Sequence, residues 1–453
     1  MRRLRGIART GQGHDFTQGS TLRQLVAFSG PIMLANLLQT SFQFVDSLWI
    51  GNLLGADALG AVAVSSVIIF TVLSFVIGVN NAALAILSQH MGRRDADGLK
   101  RYLNAFVVML FLMAVVLGAA GYAFSGTLLR VLGTPESITA QAQGYLQVSF
   151  LGILFLFGYN FLSTVLRALG DSRTPMRFVL VAVLLNVVLD PLFILALGIE
   201  GAAVATVVSQ GAAFVYGLVH VTRRRLAPFR RPSLPAWSEA RTILSLGIPS
   251  GLQMAVISAG SAAIMSVVTG FGAAVVGGFG AAQRIDSLIM LPAQALGISV
   301  SSMAGQNIGS RNWDRVGRIS RVGVVYNLAI MTAIALLVVV LARPAVTLFV
   351  REPDAVEFGV TYLRVVALFY PFLGINFVLN GVVRASGAMY QVLVLNIISF
   401  WVLRFPLTSL FAHWFGQIGI ALGMGGSFVV SSVFAYLYFR FGRWREKELF
   451  ADG

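Results

Sequence analysis

Residues 58–101 read ALGAVAVSSVIIFTVLSFVIGVNNAALAILSQHMGRRDADGLKR. The stretch 58–88 carries no charged side chain. As a helix it is about 46 Å long, at roughly 1.5 Å per residue, and the hydrocarbon core of a bilayer is about 30 Å thick. Apolar and polar residues do not alternate with period two, so the stretch reads as a helix and not as a barrel strand. Charge then arrives at once, in Arg93, Arg94, Asp95, Asp97, Lys100 and Arg101. A long apolar run closed by a short basic loop marks a membrane helix ending on the cytoplasmic side.

The rest of the chain repeats this pattern. Of 453 residues, 57% are hydrophobic and 11% charged, and the mean hydropathy is +0.82. A soluble domain carries about 25% charged residues, and one this apolar would expose aggregating patches. That excludes a soluble enzyme and a disordered chain, and the absence of Cys excludes a disulfide scaffold. Twelve apolar segments are long enough to span, at about 24–50, 58–88, 101–123, 138–168, 174–197, 200–222, 240–269, 274–304, 316–341, 357–385, 389–412 and 417–440. The longest connection, 223–241, holds Arg223, Arg224, Arg225, Arg230 and Arg231 with Pro228, Pro232 and Pro235. The first twenty residues are basic and polar, without a cleavable signal pattern.

The net charge is +15. With the N-terminus inside, 27 of the 33 Lys and Arg fall on inner segments. Only Arg130, Arg343 and Arg351 fall outside, and Arg284, Arg364 and Arg404 fall within spans. This bias places both termini in the cytoplasm and implies a multi-pass plasma-membrane protein, in a bacterium the inner membrane. The basic residues face anionic lipid headgroups. Spread over seven short segments, they form no groove for nucleic acid, and no nucleic-acid partner is expected.

The 58–101 stretch also has an echo. Gln89-x-x-Gly92-x-Arg94-x-x-Asp97 returns as Gln306-x-x-Gly309-x-Arg311-x-x-Asp314. Tyr145-Leu146 returns as Tyr362-Leu363, and Val165 to Gly170 as Val382 to Gly387. Gly30-Pro31 matches Ile248-Pro249, and Asp190-Pro191 matches Phe405-Pro406. The chain is therefore read as an all-α integral membrane protein. Its 12 transmembrane helices form two six-helix lobes related by a pseudo-two-fold axis along the membrane normal. Residues 1–222 are the N-terminal lobe, 223–241 a cytoplasmic basic linker, and 242–453 the C-terminal lobe with a cytoplasmic tail. Such duplicated lobes suit alternating access in a secondary transporter.

Ionisable groups inside spans are costly and mark candidate sites. Asn36, Gln39, Gln43 and Asp46 lie at spacings of 3, 4 and 3 on one helical face. Asn186 and Asp190 are i, i+4 on another helix. Pro191 lacks an N–H and frees the Val187 carbonyl, and Pro31 is a second helix-bending candidate. Asp46, Asn186, Asp190 and Thr206 all fall in the outer half of the first lobe. Two desolvated carboxylates repel each other, and either a proton or Na+ relieves both penalties. An oxygen-rich set of this kind suits a hard cation. Tyr159, Asn160, Ser163 and Thr164 are candidates to line the same cavity. Gln253, Gln283, Arg284, Asn376 and Asn380 are the second-lobe candidates. Arg284 and Asp286 are two apart and do not face each other well; structural pairing is the leading reading of both. His14, His90, His220 and His413 are scattered, so no metal cluster is expected. No phosphate-cradling loop is present, so the chain is not read as an ATPase or other enzyme, and no catalytic residues or cofactors are expected beyond H+ or Na+.

Twelve spans, the 6+6 repeat, Gly30-Pro31, Phe44-Val45-Asp46-Ser47-Leu48-Trp49-Ile50-Gly51, Leu166 to Gly170 and Asn186-x-x-x-Asp190-Pro191 together resemble the MATE multidrug exporters, over about residues 20–440. The resemblance implies proton or sodium coupling at Asp46. In the DinF-like branch it adds an Asn and Asp matched by Asn186 and Asp190, with Thr206, and less closely Asn160. NorM-like members use acidic residues in helices 7 and 10. Here those regions read Ile257-Ser258-Ala259-Gly260 and Leu373-Gly374-Ile375-Asn376, without a carboxylate. In the repeat Asp46 maps near Ile264 and Asp190 onto Phe405. On this reading the carboxylates are kept only in the first lobe. The expected activity is export of amphipathic, cationic organic compounds by a monomer, in exchange for H+ or Na+. The alternatives are a lipid-linked saccharide flippase of the same superfamily and a non-transporting membrane scaffold.

Overall fold

The computed structural model describes residues 14–229, 232–447 and 449–450. Arg2, Arg3, Arg5 and Arg9 of the tail and Arg230 and Arg231 of the linker lie outside them. Ten helices are long and apolar enough to span, and two bent pairs complete twelve. They are α1 (Thr21–Leu54), α2 (Ala56–Arg93), α3 (Ala96–Val131), α4a and α4b (Glu136–Leu151 and Ile153–Ala168), α5 (Arg173–Leu197) and α6 (Ile199–Arg224). Then follow α7 (Trp237–Thr269), α8 (Ala273–Gly309), α9 (Trp313–Thr347), α10a and α10b (Pro353–Ala367 and Tyr370–Ala385), α11 (Met389–Phe415) and α12 (Gln417–Phe441). The chain is thus an all-α membrane protein of twelve spans in two lobes.

Spans four and ten, read as continuous, are broken. The pieces of α4 meet at 50° around Gly152 and those of α10 at 54° around Leu368–Phe369. Gly152 has no room for a side chain, because Val207 of α6 occupies the space a Cβ would take. Helices α1 and α5 instead run unbroken through Pro31 and Pro191. Helix α11 widens into a π turn over Ile398–Arg404, just before Pro406. Proline removes an N–H donor there, and a wider turn re-registers the ladder.

By contacts the chain divides into two units. One holds residues up to 15 and 30–248, the other 16–29 and 249–453. The grouping changes within α1 between Ser29 and Gly30 and within α7 between Ile248 and Pro249, within one residue of the positions matched by the repeat. In the second unit the segment ahead of α1 is tied down by Arg315. Its guanidinium donates to the carbonyls of Phe16 (2.7 Å), Gln18 (2.8 Å) and Gly19 (2.9 Å). In the first unit the segment ahead of α7 is held by Asn104, which exchanges two hydrogen bonds with the Ser233 backbone.

The basic loops are structured by the repeated motif. Arg94 and Arg311 both adopt left-handed backbone, φ 59° and 58°, closing α2 and the turn after α8. Asp95 then caps α3 by accepting from Gly98 N (2.9 Å), and Asn312 caps α9 by accepting from Arg315 N (3.3 Å). Both satisfy helix N–H groups that have no intrahelical partner.

Candidate ion site in the first unit

Asp46 near the end of α1, Asn186 and Asp190 on α5, and Thr206 on α6 converge. Asn186 Nδ2 donates to Thr206 Oγ1 at 3.3 Å. The Asp46 and Asp190 carboxyls lie within hydrogen-bond reach of each other, and Asn186 lies beside Asp190. Asp46, Asn186 and Asp190 are 9%, 1% and 0% exposed. Ionised, the carboxyls offer only acceptors. Asp46 Oδ1, Asn186 Oδ1 and both Asp190 oxygens are then buried without a hydrogen bond of ordinary geometry, the Asn186 amide beside Asp190 being turned to Thr206. An orphaned buried acceptor is costly, and four at one point ask for a cation. A proton shared between the acids, or a hard cation among the oxygens, meets that need.

Tyr145 of α4a lies close enough to feel both carboxylates and was not among the residues singled out from sequence. The signal was available in its repeat with Tyr362, but nothing in the pattern told a buried hydroxyl from a packing ring.

The other candidates do not join this cluster by hydrogen bonds. Asn36 is half-buried, and Gln39 and Gln43 are exposed, so the polar row on α1 ends in a buried acid but is not buried throughout. On α4b, Asn160, Ser163 and Thr164 bond backbone carbonyls four residues earlier, at Leu156, Tyr159 and Asn160, while the Tyr159 ring is buried. In the second unit Gln253 is buried with its Oε1 lacking a donor, and Asn380 Oδ1 lacks one too. Asn376 is placed to bridge Ser431 O and Ser432 N on α12. Gln283 is half-buried, and exposed Arg284 lies over the Phe349 ring.

Asp286, the second-half carboxylate read from sequence chiefly as a structural pairing, has partners other than Arg284. It is 6% exposed within the second unit and pairs with tyrosines, not with Arg284. Tyr362 Oη donates to Asp286 Oδ2 at 3.4 Å, and Tyr370 Oη donates to Oδ1. Its helix, α8, has no acid at the matching place in the first lobe, where Ile69 stands. The repeat therefore gave no hint of it. Arg404, from the π turn, is buried between the Phe400 and Phe428 rings, with Nε bonded to Ser427 Oγ.

A twelve-span bundle in two lobes, with a buried oxygen site in one of them, defines a secondary-transporter architecture. The MatE family profile matches residues 31–192 and 249–410, once in each half. The chain belongs to that family, the MATE multidrug efflux transporters. It is 60% identical to the probable multidrug resistance protein YpnP of Bacillus subtilis, over 97% of this chain and 100% of that one. It is 25% identical to an FAD transporter of Shewanella oneidensis, over 91% and 92%. The fold matches a point mutant of the Vibrio cholerae MATE transporter VcmN with a TM-score of 0.90 at 24% identity, covering 95% and 99% of the two chains.

Proposed function

We propose that this protein exports amphipathic organic cations in exchange for H+ or Na+ bound at Asp46, Asn186, Asp190 and Thr206. It works as a monomer in the bacterial inner membrane with both termini cytoplasmic, and needs no cofactor beyond the coupling ion. The observation that carries this reading is the set of orphaned oxygens on α1, α5 and α6. A bound cation satisfies them, and losing it restores the repulsion between Asp46 and Asp190. That difference in free energy is what an ion gradient can use to drive a conformational change. Na+ needs several oxygens at once, whereas a proton needs only the two acids.

The test is dye efflux from proteoliposomes under an imposed pH gradient without Na+, and then under a Na+ gradient at constant pH. A cationic dye should be exported under one of them. Asp46→Asn and Asp190→Asn should each lower that export at least about tenfold, equivalent to about 1.4 kcal/mol of lost coupling. FAD is the contrasting anionic probe. Gradient-driven export of FAD in place of the dye would overturn the cationic assignment. Unchanged export by both variants would overturn the site.

A further inference from the structure

The second unit contains an arrangement that the first-unit site does not explain. Asp286 of α8 is held by two tyrosines that sit on opposite sides of the break in α10. Tyr362 is on α10a, Tyr370 is on α10b, and the pieces meet at 54°. The carboxyl thus staples the two halves of a bent membrane helix. Tyr362 also has a second acceptor in place, Met424 Sδ of α12 at 3.1 Å.

We infer that Asp286, Tyr362 and Tyr370 form a second proton-binding site whose occupancy sets the bend of helix α10. Ionised Asp286 accepts a hydrogen bond from each tyrosine. Protonated, it must itself donate one, so one hydroxyl has to turn away. Tyr362 can turn its hydrogen to Met424 Sδ and accept from the new carboxylic acid. The weaker sulfur acceptor then replaces a charge-assisted bond on the α10a side of the break, while Tyr370 on the α10b side keeps its own. Protonation therefore loosens one side of the staple.

Tyr362 also lines a cavity. The cavity, of about 590 Å³, is lined by Phe271, Asp354, Glu357, Phe358, Thr361 and Tyr362 among others. It lies where α7 and α11 end and α8 and α12 begin, the outer side in the orientation proposed above. Tyr362 thus borders the cavity and bonds Asp286.

Among the described residues, the titratable groups facing Asp286 are Tyr362 and Tyr370. Arg404 of α11 stands one residue further off, near Tyr362. Arg284 on the same helix is turned to Phe349, and α12 contributes the neutral Met424.

The transport consequence rests on the proposed exchange, but the bend can be measured without it. The chain has no Cys, so spin labels can be placed cleanly at exposed Arg351→Cys, before α10a, and Tyr390→Cys, beyond α10b. Their distance is measured in nanodiscs in acidic and alkaline buffer, in an Asp46→Asn/Asp190→Asn background that silences the first site. The distance should shift with pH. Asp286→Asn should abolish the shift, and Asp286→Glu should restore it. A pH-independent distance while Asp286 is intact overturns the inference, as does a shift that survives Asp286→Asn. In the otherwise native protein, Asp286→Asn should lower pH-driven dye export about fivefold or more. If the native protein exports dye and Asp286→Asn leaves its rate and pH profile unchanged, the second site is wrong. If the native protein exports nothing under any gradient while the distance still shifts, only the exchange reading fails.

Discussion

Asp46 and Asp190 are the two residues on which the functional reading turns, and they were legible for different reasons. Asp46 closes a polar row on a helix that has no other acid, and a lone intramembrane carboxylate needs a purpose. Asp190 stands one helical turn from Asn186, beside a proline. Chain position showed only that the pair could share a depth. Their contact depends on how α1 packs against α5, which no single-helix pattern encodes. The place of Tyr145 beside the acids and the tyrosine partners of Asp286 were not legible, because these neighbours come from distant helices. Tyr145→Phe should keep the fold and lower coupled export roughly fivefold, about 1 kcal/mol, because the hydroxyl dipole lies in the field of both carboxylates. Wild-type initial rates for this variant would show that its hydroxyl does not act on the acids.

At the scale of elements, twelve spans could be counted from apolar runs, but the breaks in α4 and α10 could not be seen. Both halves of each broken helix are apolar, and the break at Gly152 comes from the close approach of Val207 on another helix. The prolines pointed elsewhere, since α1 and α5 absorb theirs without ending. The loop motif was visible as a repeat, and the structure supplies its physical content. Arg94 and Arg311 turn the chain left-handed, and the next residue in each copy caps a helix. Asp95→Ala and Asn312→Ala should each destabilise the protein by about 1 kcal/mol, read as a lower melting temperature in detergent. Burial alone would raise the Asp95 carboxyl, but the Gly98 N–H and the His90 ring outweigh it and hold it below the usual carboxylate range. An acid held low stabilises the fold above its unfolded value near about 4 and loses that contribution as pH falls through its folded value. The Asp95→Ala deficit should therefore shrink in acid, and a deficit independent of pH would contradict the cap.

For the whole molecule, the opening basic loop and its echo carried most of the architecture: spans, duplication and the family. What the duplication concealed is that chain order and contact grouping differ. Residues 16–29, the start of the first half, group with the second unit. Arg315 fixes that segment through three carbonyls and Gln24. Arg315→Ala should cost about 2–4 kcal/mol by leaving those carbonyls unbonded. Arg315→Lys should recover little of it, because an ammonium lacks the planar fork; full thermal stability in either variant would refute the clamp. If substrate is exchanged for an ion bound at the Asp46–Asp190 pair, as proposed, substrate binding should displace that ion. Ion release on substrate binding tests it most directly. Purified protein in weak buffer, or loaded with radioactive Na+, is mixed with a cationic dye, and released protons or Na+ are counted. Release from the native protein, absent in Asp46→Asn and Asp190→Asn, is the predicted result. Dye binding with no ion released, or equal release from both variants, would contradict it.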